Sequence, residues 1–157
     1  MRKLAIVCLL VLVGCKRQVS VTSAPSQPSA TANPNAPGGS SHRDALDRFM
    51  RAAKNQDVQA MSNVWGSVKG PARTDRTYMT VQEMEMRIIY MMRCLRHDSY
   101  TVNAETPAVA DKRTFNVTVK YGNVTAVTDF TTTRGPESRY FLETFDLPKA
   151  QAICGAK

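Results

Sequence analysis

RTFNVTVKYGNVTAVTDFTTT, residues 113–133, decides the fold class of this chain. Phe115, Val117, Val119 and Tyr121 alternate with Asn116, Thr118 and Lys120, so Arg113 to Tyr121 reads as a half-buried strand with one apolar face. Gly122-Asn123 is a tight hairpin turn, and Val124 to Thr133 continues as a Thr-rich second strand. Working outward, Gly135-Pro136 turns the chain into a further strand, Arg139 to Phe145. Tyr100 to Ala104 is a short strand before the hairpin. These strands run as an antiparallel meander.

Upstream the period changes from two to that of a helix. Ser41-x-x-Asp44 is a capping box with Asp in place of the usual Glu. Leu46, Phe49, Met50 and Ala53 then recur at helical spacing, with Arg43, Asp47, Arg51 and Lys54 on the other side. Asp57 caps a second short helix carrying Val58, Met61, Val64 and Trp65, ended by Gly66. Residues 67–78 read as a loop. Thr80-x-x-Glu83 is a second capping box, and Val81 to Leu95 is the longest helical pattern in the chain. Val81, Met84, Ile88, Met91, Met92 and Leu95 share one face. Met86, Ile89 and Tyr90 make the rest unusually apolar, as expected of a helix buried on more than one side or offering a second face to a partner. After the last strand, Asp146 and Pro148 start a short terminal helix that carries Cys154. The expectation is an α+β domain with N-terminal helices packed on an antiparallel sheet.

The start of the chain has a different character. Met1-Arg2-Lys3 is positively charged, and Leu4 to Gly14 is an uncharged run too short to span a bilayer, which needs about 20 apolar residues. It reads as a secretory signal, residues 1–14. Leu12-Val13-Gly14-Cys15 resembles the lipobox of bacterial lipoproteins. The resemblance implies cleavage before Cys15, lipidation of Cys15 and anchoring of the chain to a membrane of the cell envelope. Lys16, rather than Asp, follows the cysteine; by the same resemblance the anchor belongs in the outer membrane, facing the periplasm. Two or more acyl chains hold a protein stably, where one is marginal. Residues 15–40 then form a tether of Ser, Thr, Ala, Pro, Asn and Gly. From Gln18 to Ser40 it has no aromatic residue and no charge, too little apolar surface to repay the entropy of ordering. The folded domain is expected over residues 41–157.

The chain has 21 Lys+Arg against 13 Asp+Glu. Arg2, Lys3, Lys16 and Arg17 precede the folded part, so the excess within it is mild and evenly spread. Nucleic-acid binding calls for a clustered basic face, and an exported protein does not meet nucleic acid. Cys8 leaves with the signal. Cys94 and Cys154 remain, and one pair in an oxidising compartment most simply forms a disulfide. A free thiol or a metal pair are the alternatives, but neither cysteine has a His or Cys neighbour at zinc spacing.

Little in the domain points to chemistry. His97-Asp98 is its only histidine–carboxylate pair, and adjacent residues rarely point the same way; a surface or capping role is expected. His42 lies at the tether junction and is expected to be solvated. There is no Gly-rich phosphate loop, no serine-hydrolase elbow and no pair of carboxylates spaced for acid–base work. The methionines of the long helix do not converge on an ion and read as adaptable core filler. No catalytic residue, metal ligand or cofactor is assigned. Asp129 is a lone carboxylate among threonines, and it becomes a polar pocket residue if its side of the sheet faces a concave interior. Trp65 is a core plug or a pocket wall. Tyr121 and Tyr140 complete the candidate pocket.

Two helices, a longer third helix and a run of antiparallel strands, residues 41–147, look like the nuclear transport factor 2-like cone fold, which implies N-terminal helices packed on a curved antiparallel sheet. The stretch carrying the likeness best is Asp44-Ala45-Leu46-Asp47-Arg48-Phe49-Met50-Arg51-Ala52-Ala53-Lys54-Asn55-Gln56-Asp57. In that superfamily some members, such as ketosteroid isomerases and polyketide cyclases, place acid–base residues in the cone, while others use the fold for binding or assembly. No Tyr-plus-two-Asp arrangement of the isomerase kind is present. The expected function is therefore a non-catalytic binding or assembly domain on an anchored lipoprotein, taking an envelope protein or small ligand. The alternative is an isomerase-, cyclase- or dehydratase-like enzyme acting in the pocket.

Overall fold

The computed structural model describes residues 36–75, 77 and 79–156. The signal, Cys15 and the tether up to residue 35 lie outside them. The elements follow in the order α1 (His42–Lys54), α2 (Val58–Val64), a two-residue-strand hairpin β1 (Gly66–Ser67) and β2 (Gly70–Pro71), α3 (Val81–Cys94), β3 (Ser99–Ala108), β4 (Lys112–Tyr121), β5 (Val124–Arg134), β6 (Tyr140–Phe145) and α4 (Leu147–Cys154). Strands β3 to β6 form an antiparallel sheet in sequence order, which does not close on itself. The protein is α+β, with four helices among the described residues.

Each helix starts where a side chain satisfies the free N–H groups of its first turn. Ser41 Oγ accepts from the Asp44 N–H, while the Asp44 carboxylate reaches back to Ser40 rather than Ser41. Asp57 accepts from Ala60. At α3 the box is reciprocal, with the Thr80 N–H donating to Glu83 at 2.7 Å and the Glu83 N–H to Thr80 Oγ1 at 3.2 Å.

The β4–β5 register puts Phe115 opposite Phe130, Val117 opposite Thr128 and Val119 opposite Ala126, all buried. The alternate pairs, Asn116 with Asp129 and Thr118 with Val127, lie on the other face. Helices α1 to α3 cover the apolar face, where Leu46, Phe49, Met50, Met61 and Ile88 are fully buried against Phe115 and Phe130. Each such side chain contributes about 1.5–3 kcal/mol by leaving water. The whole core is drawn from residues 45–153.

Four features depart from the sequence reading. Strand β3 runs on to Ala108, beyond the expected Ala104, with a bulge between Val102 and Ala104. Its far half is exposed, so local hydrophobic pattern cannot mark it. The expected loop 67–78 begins with the small β1–β2 hairpin. Residues 36–40, assigned by composition to the tether, belong to the folded unit. Gly39 exchanges backbone bonds with Tyr140, and Arg48 and Arg139 both donate to the Gly38 carbonyl at 2.9 Å. Gly38 has φ +67°, and a Cβ there would meet the Tyr140 carbonyl and the Phe141 ring. Finally, His42 is not solvated. Its Nδ1 lies 2.9 Å from Thr132 Oγ1 and its ring packs on Tyr140 at 4.4 Å, and burial holds its pKa below the usual value.

Strand β6 pairs only with the second half of β5. Helix α4 takes over along the first half: the Asp146 N–H donates to the Asp129 carbonyl, and Thr128 Oγ1 donates to the Asp146 carbonyl at 2.7 Å. Cys94 ends α3, Cys154 ends α4, and their sulfurs are bonded across a sequence separation of 60. The bridge thus ties the helix covering the β5 edge to the longest helix of the core. No described helix is long and apolar enough to cross a membrane.

Candidate functional site, an apolar groove between α3 and β6

Helix α3 has two apolar faces. Met84, Ile88, Met91 and Leu95 are buried against the sheet and the other helices. Met86, Ile89, Tyr90 and Arg93 follow the i, i+3, i+4, i+7 spacing of a second stripe. That stripe faces outward, with Met86 62%, Ile89 44% and Tyr90 51% exposed.

Between one flank of this stripe and strand β6 lies an open groove of about 470 Å³. Met86, Arg87, Tyr90 and Met91 form the helix wall, and Glu143, Thr144 and Phe145 form the strand wall. Trp65 and Leu147 complete it. Trp65 is held there by its bridge to Leu142 and by a 3.3 Å bond from Nε1 to the Glu143 carbonyl. Phe145 stacks on Phe130 at 5.7 Å, which seats the strand wall on the core. The size falls within the roughly 300–1,000 Å³ of small-molecule pockets, and the mostly apolar walls with few polar groups match such sites. Of the two charged groups, Glu143 is paired with Lys112 at 2.6 Å. Arg87 makes no ion pair among the described residues. The groove can therefore hold apolar matter beside one positive charge; it holds no acid–base couple.

The candidate pocket residues do not converge. Trp65 alone lines the groove. Asp129 lies on the face of the sheet away from the core, accepting from Asn116 at 2.7 Å and from Lys149 at 2.6 Å. Those bonds, Lys149 first, hold its carboxyl below the usual carboxylate range. Tyr140 is at the start of β6, against His42 and Gly39. Tyr121 is at the β4–β5 turn, half-buried against the core. Met86, Tyr90, Phe145 and Leu147 were not singled out as site residues. The surplus of apolar residues on the long helix was the one sequence signal pointing to them.

A second cleft gathers the titratable residues Asp47, Lys54, His97 and Tyr100. Each of these four already has a structural partner; Arg51, on the same rim, makes no ion pair or side-chain hydrogen bond among the described residues. His97 is buried, not at the surface, and its Nδ1–H caps α3 by donating to the Leu95 carbonyl at 2.8 Å. Tyr100 donates to Asp47 at 2.7 Å, and burial together with that carboxylate raises its pKa, keeping it protonated. Lys54 donates to the Asp98 carbonyl, and the Asp98 side chain accepts from the Gly122 N–H in the β4–β5 turn. His97 and Asp98 therefore serve different ends of the fold. Among the described residues no three His, Cys, Asp or Glu side chains are placed to share a metal ion.

The folded part is an α+β domain with an open four-stranded sheet, one disulfide and an apolar groove. No family model, curated protein or solved structure matches the chain.

Proposed function

We propose that this protein is a lipoprotein anchored in the cell envelope through Cys15, whose folded domain is a non-catalytic binding module with the α3–β6 groove as its site. The observation that carries the binding reading is the groove itself: apolar walls, one arginine without an ion pair among the described residues, and no acid–base couple there. The same observation weighs against the isomerase, cyclase or dehydratase alternative, which needs buried polar groups around a cavity. The likeness to the nuclear transport factor 2-like cone is supported by the order of helices and strands. The two bulges, at Val102/Ala104 and Thr131/Thr132, add to it, because bulges bend a sheet. The core side of the sheet is filled by side chains such as Phe49, Met50, Phe115 and Phe130, which leaves the outer groove as the site. The outer membrane, facing the periplasm, is the proposed location.

Trp65 is the sole tryptophan and reports on the groove directly. Titrating the unlipidated chain, residues 16–157, with anilinonaphthalene sulfonate should give saturable energy transfer from Trp65. Thr144→Arg, at an exposed position on the strand wall, should abolish it. Transfer that never saturates, or that Thr144→Arg leaves intact, refutes the groove as a binding site. The anchor has its own test. Tritiated palmitate should label the full chain in bacterial cells and should not label Cys15→Ala; equal labelling of both refutes lipidation at Cys15.

A further inference from the structure

The outward stripe of α3 lies among arginines. Arg93 is in the stripe, Arg87 flanks it, and Arg96 follows just past the helix end. All three are exposed, and none makes an ion pair or hydrogen bond among the described residues. Arg51 and Arg73 are likewise exposed and unbonded among the described residues, but they stand on other elements, while Arg43, Arg48, Arg113, Arg134 and Arg139 are each bonded to a carboxylate or carbonyl. The acids of α3 are Glu83, committed to the Thr80 cap, and Glu85 in the first turns. The remainder of the outer face is thus apolar and positive. That combination suits the headgroup boundary of an anionic bilayer, where apolar and aromatic side chains enter the interface and arginines meet phosphates.

The course of the chain favours the same occupant. The described chain begins at Ala36, which shares a pocket with Asn55 and Asp57. The intervening Gln56 shares the next pocket with Ile89, Arg93 and Arg96. Ala36 and the arginine end of α3 thus both lie near the turn between α1 and α2. Twenty positions separate Ala36 from Cys15. A chain of that length reaches at most about 70 Å. An acyl anchor at Cys15 would hold the face at high effective concentration over the bilayer, so even weak docking becomes occupied.

We infer that the outer face of α3, formed by Met86, Ile89 and Tyr90 with Arg87, Arg93 and Arg96, docks on the anionic lipid surface in which the chain is anchored. The inference rests on the lipoprotein reading for its biological setting, but the surface can be tested without the anchor. The unlipidated chain, residues 16–157, is co-sedimented with phosphatidylcholine vesicles with and without phosphatidylglycerol. Binding should require the anionic lipid and weaken with added salt. A basic residue near such a surface is worth roughly fivefold in affinity, so the triple variant Arg87→Gln, Arg93→Gln, Arg96→Gln should bind roughly 100-fold more weakly. Met86→Ser with Tyr90→Ser should also reduce binding while leaving the circular dichroism spectrum unchanged. Failure to sediment with anionic vesicles overturns the inference. So does binding that the arginine variant retains, which would assign the attraction to Lys16 and Arg17. A dimer abolished by Met86→Arg, with no vesicle binding, makes a second copy of the chain the occupant and overturns it too. Absence of vesicle binding by the unsubstituted chain, with palmitate labelling of Cys15 intact, would refute this face and leave the anchor standing.

Discussion

Replacing Cys94 and Cys154 by alanine removes the covalent tie between α3 and α4. The closed loop spans a separation of 60 residues, and the loop-entropy relation gives about 4.3 kcal/mol at 25 °C for a loop of that length. The structure adds a reason to expect most of that loss. Helix α4 covers the part of β5 that β6 leaves unpaired, and its buried side chains are Ala150 and Ile153. Without the bridge those two residues and the Asp146 bonds must hold α4 alone, and a helix this short does not sustain itself. Urea unfolding followed by circular dichroism, on the oxidised chain and the double variant, measures the difference. The expected loss is about 3–5 kcal/mol, equivalent to roughly 10–20 °C in Tm for a domain of this size. A loss below about 1 kcal/mol at unchanged m-value would refute the view that the bridge secures α4 to the core.

Two further perturbations test local features. Ala110 sits at φ 57° in the β3–β4 loop, where a side chain costs about 1–2 kcal/mol. Ala110→Gly should therefore raise stability by about 0.5–1 kcal/mol in the same urea assay, after the entropy glycine gains in the unfolded chain. Burial lowers the pKa of His97, against the opposing bond to Leu95. Below the ordinary histidine value of about 6.5 the unfolded chain takes up the proton first. Stability should thus be full above that pH and fall as pH drops from there toward the lowered native value. His97→Asn, whose amide can donate to Leu95 in place of the ring, should flatten this part of the pH profile; an unchanged slope would remove His97 as its source.

The class of the fold was legible because its signals are short-range. The caps at Ser41, Asp57, Thr80 and Asp146 all recur in the structure. The alternation from Phe115 to Tyr121 reads directly as the buried and open faces of β4. The cysteine pairing was legible by elimination, since the domain offers no other partner. None of this needs knowledge of how distant segments meet.

What tertiary structure alone decided concerns contacts between segments far apart in sequence. Alternation places Asn116 and Asp129 together on one face of the sheet, but which face the helices cover is a packing outcome. It put Asp129 outside, against Lys149 of α4. Local context predicts a solvated His42, but Thr132 and Tyr140, some ninety residues away, half-bury it. The groove joins Trp65, α3 and β6, and its existence depends on how closely a helix and a strand approach. The composition of α3 required a second apolar face from the start. Whether that face is buried or left open depends on the core, which other side chains, phenylalanines and methionines among them, fill without Met86, Ile89 or Tyr90.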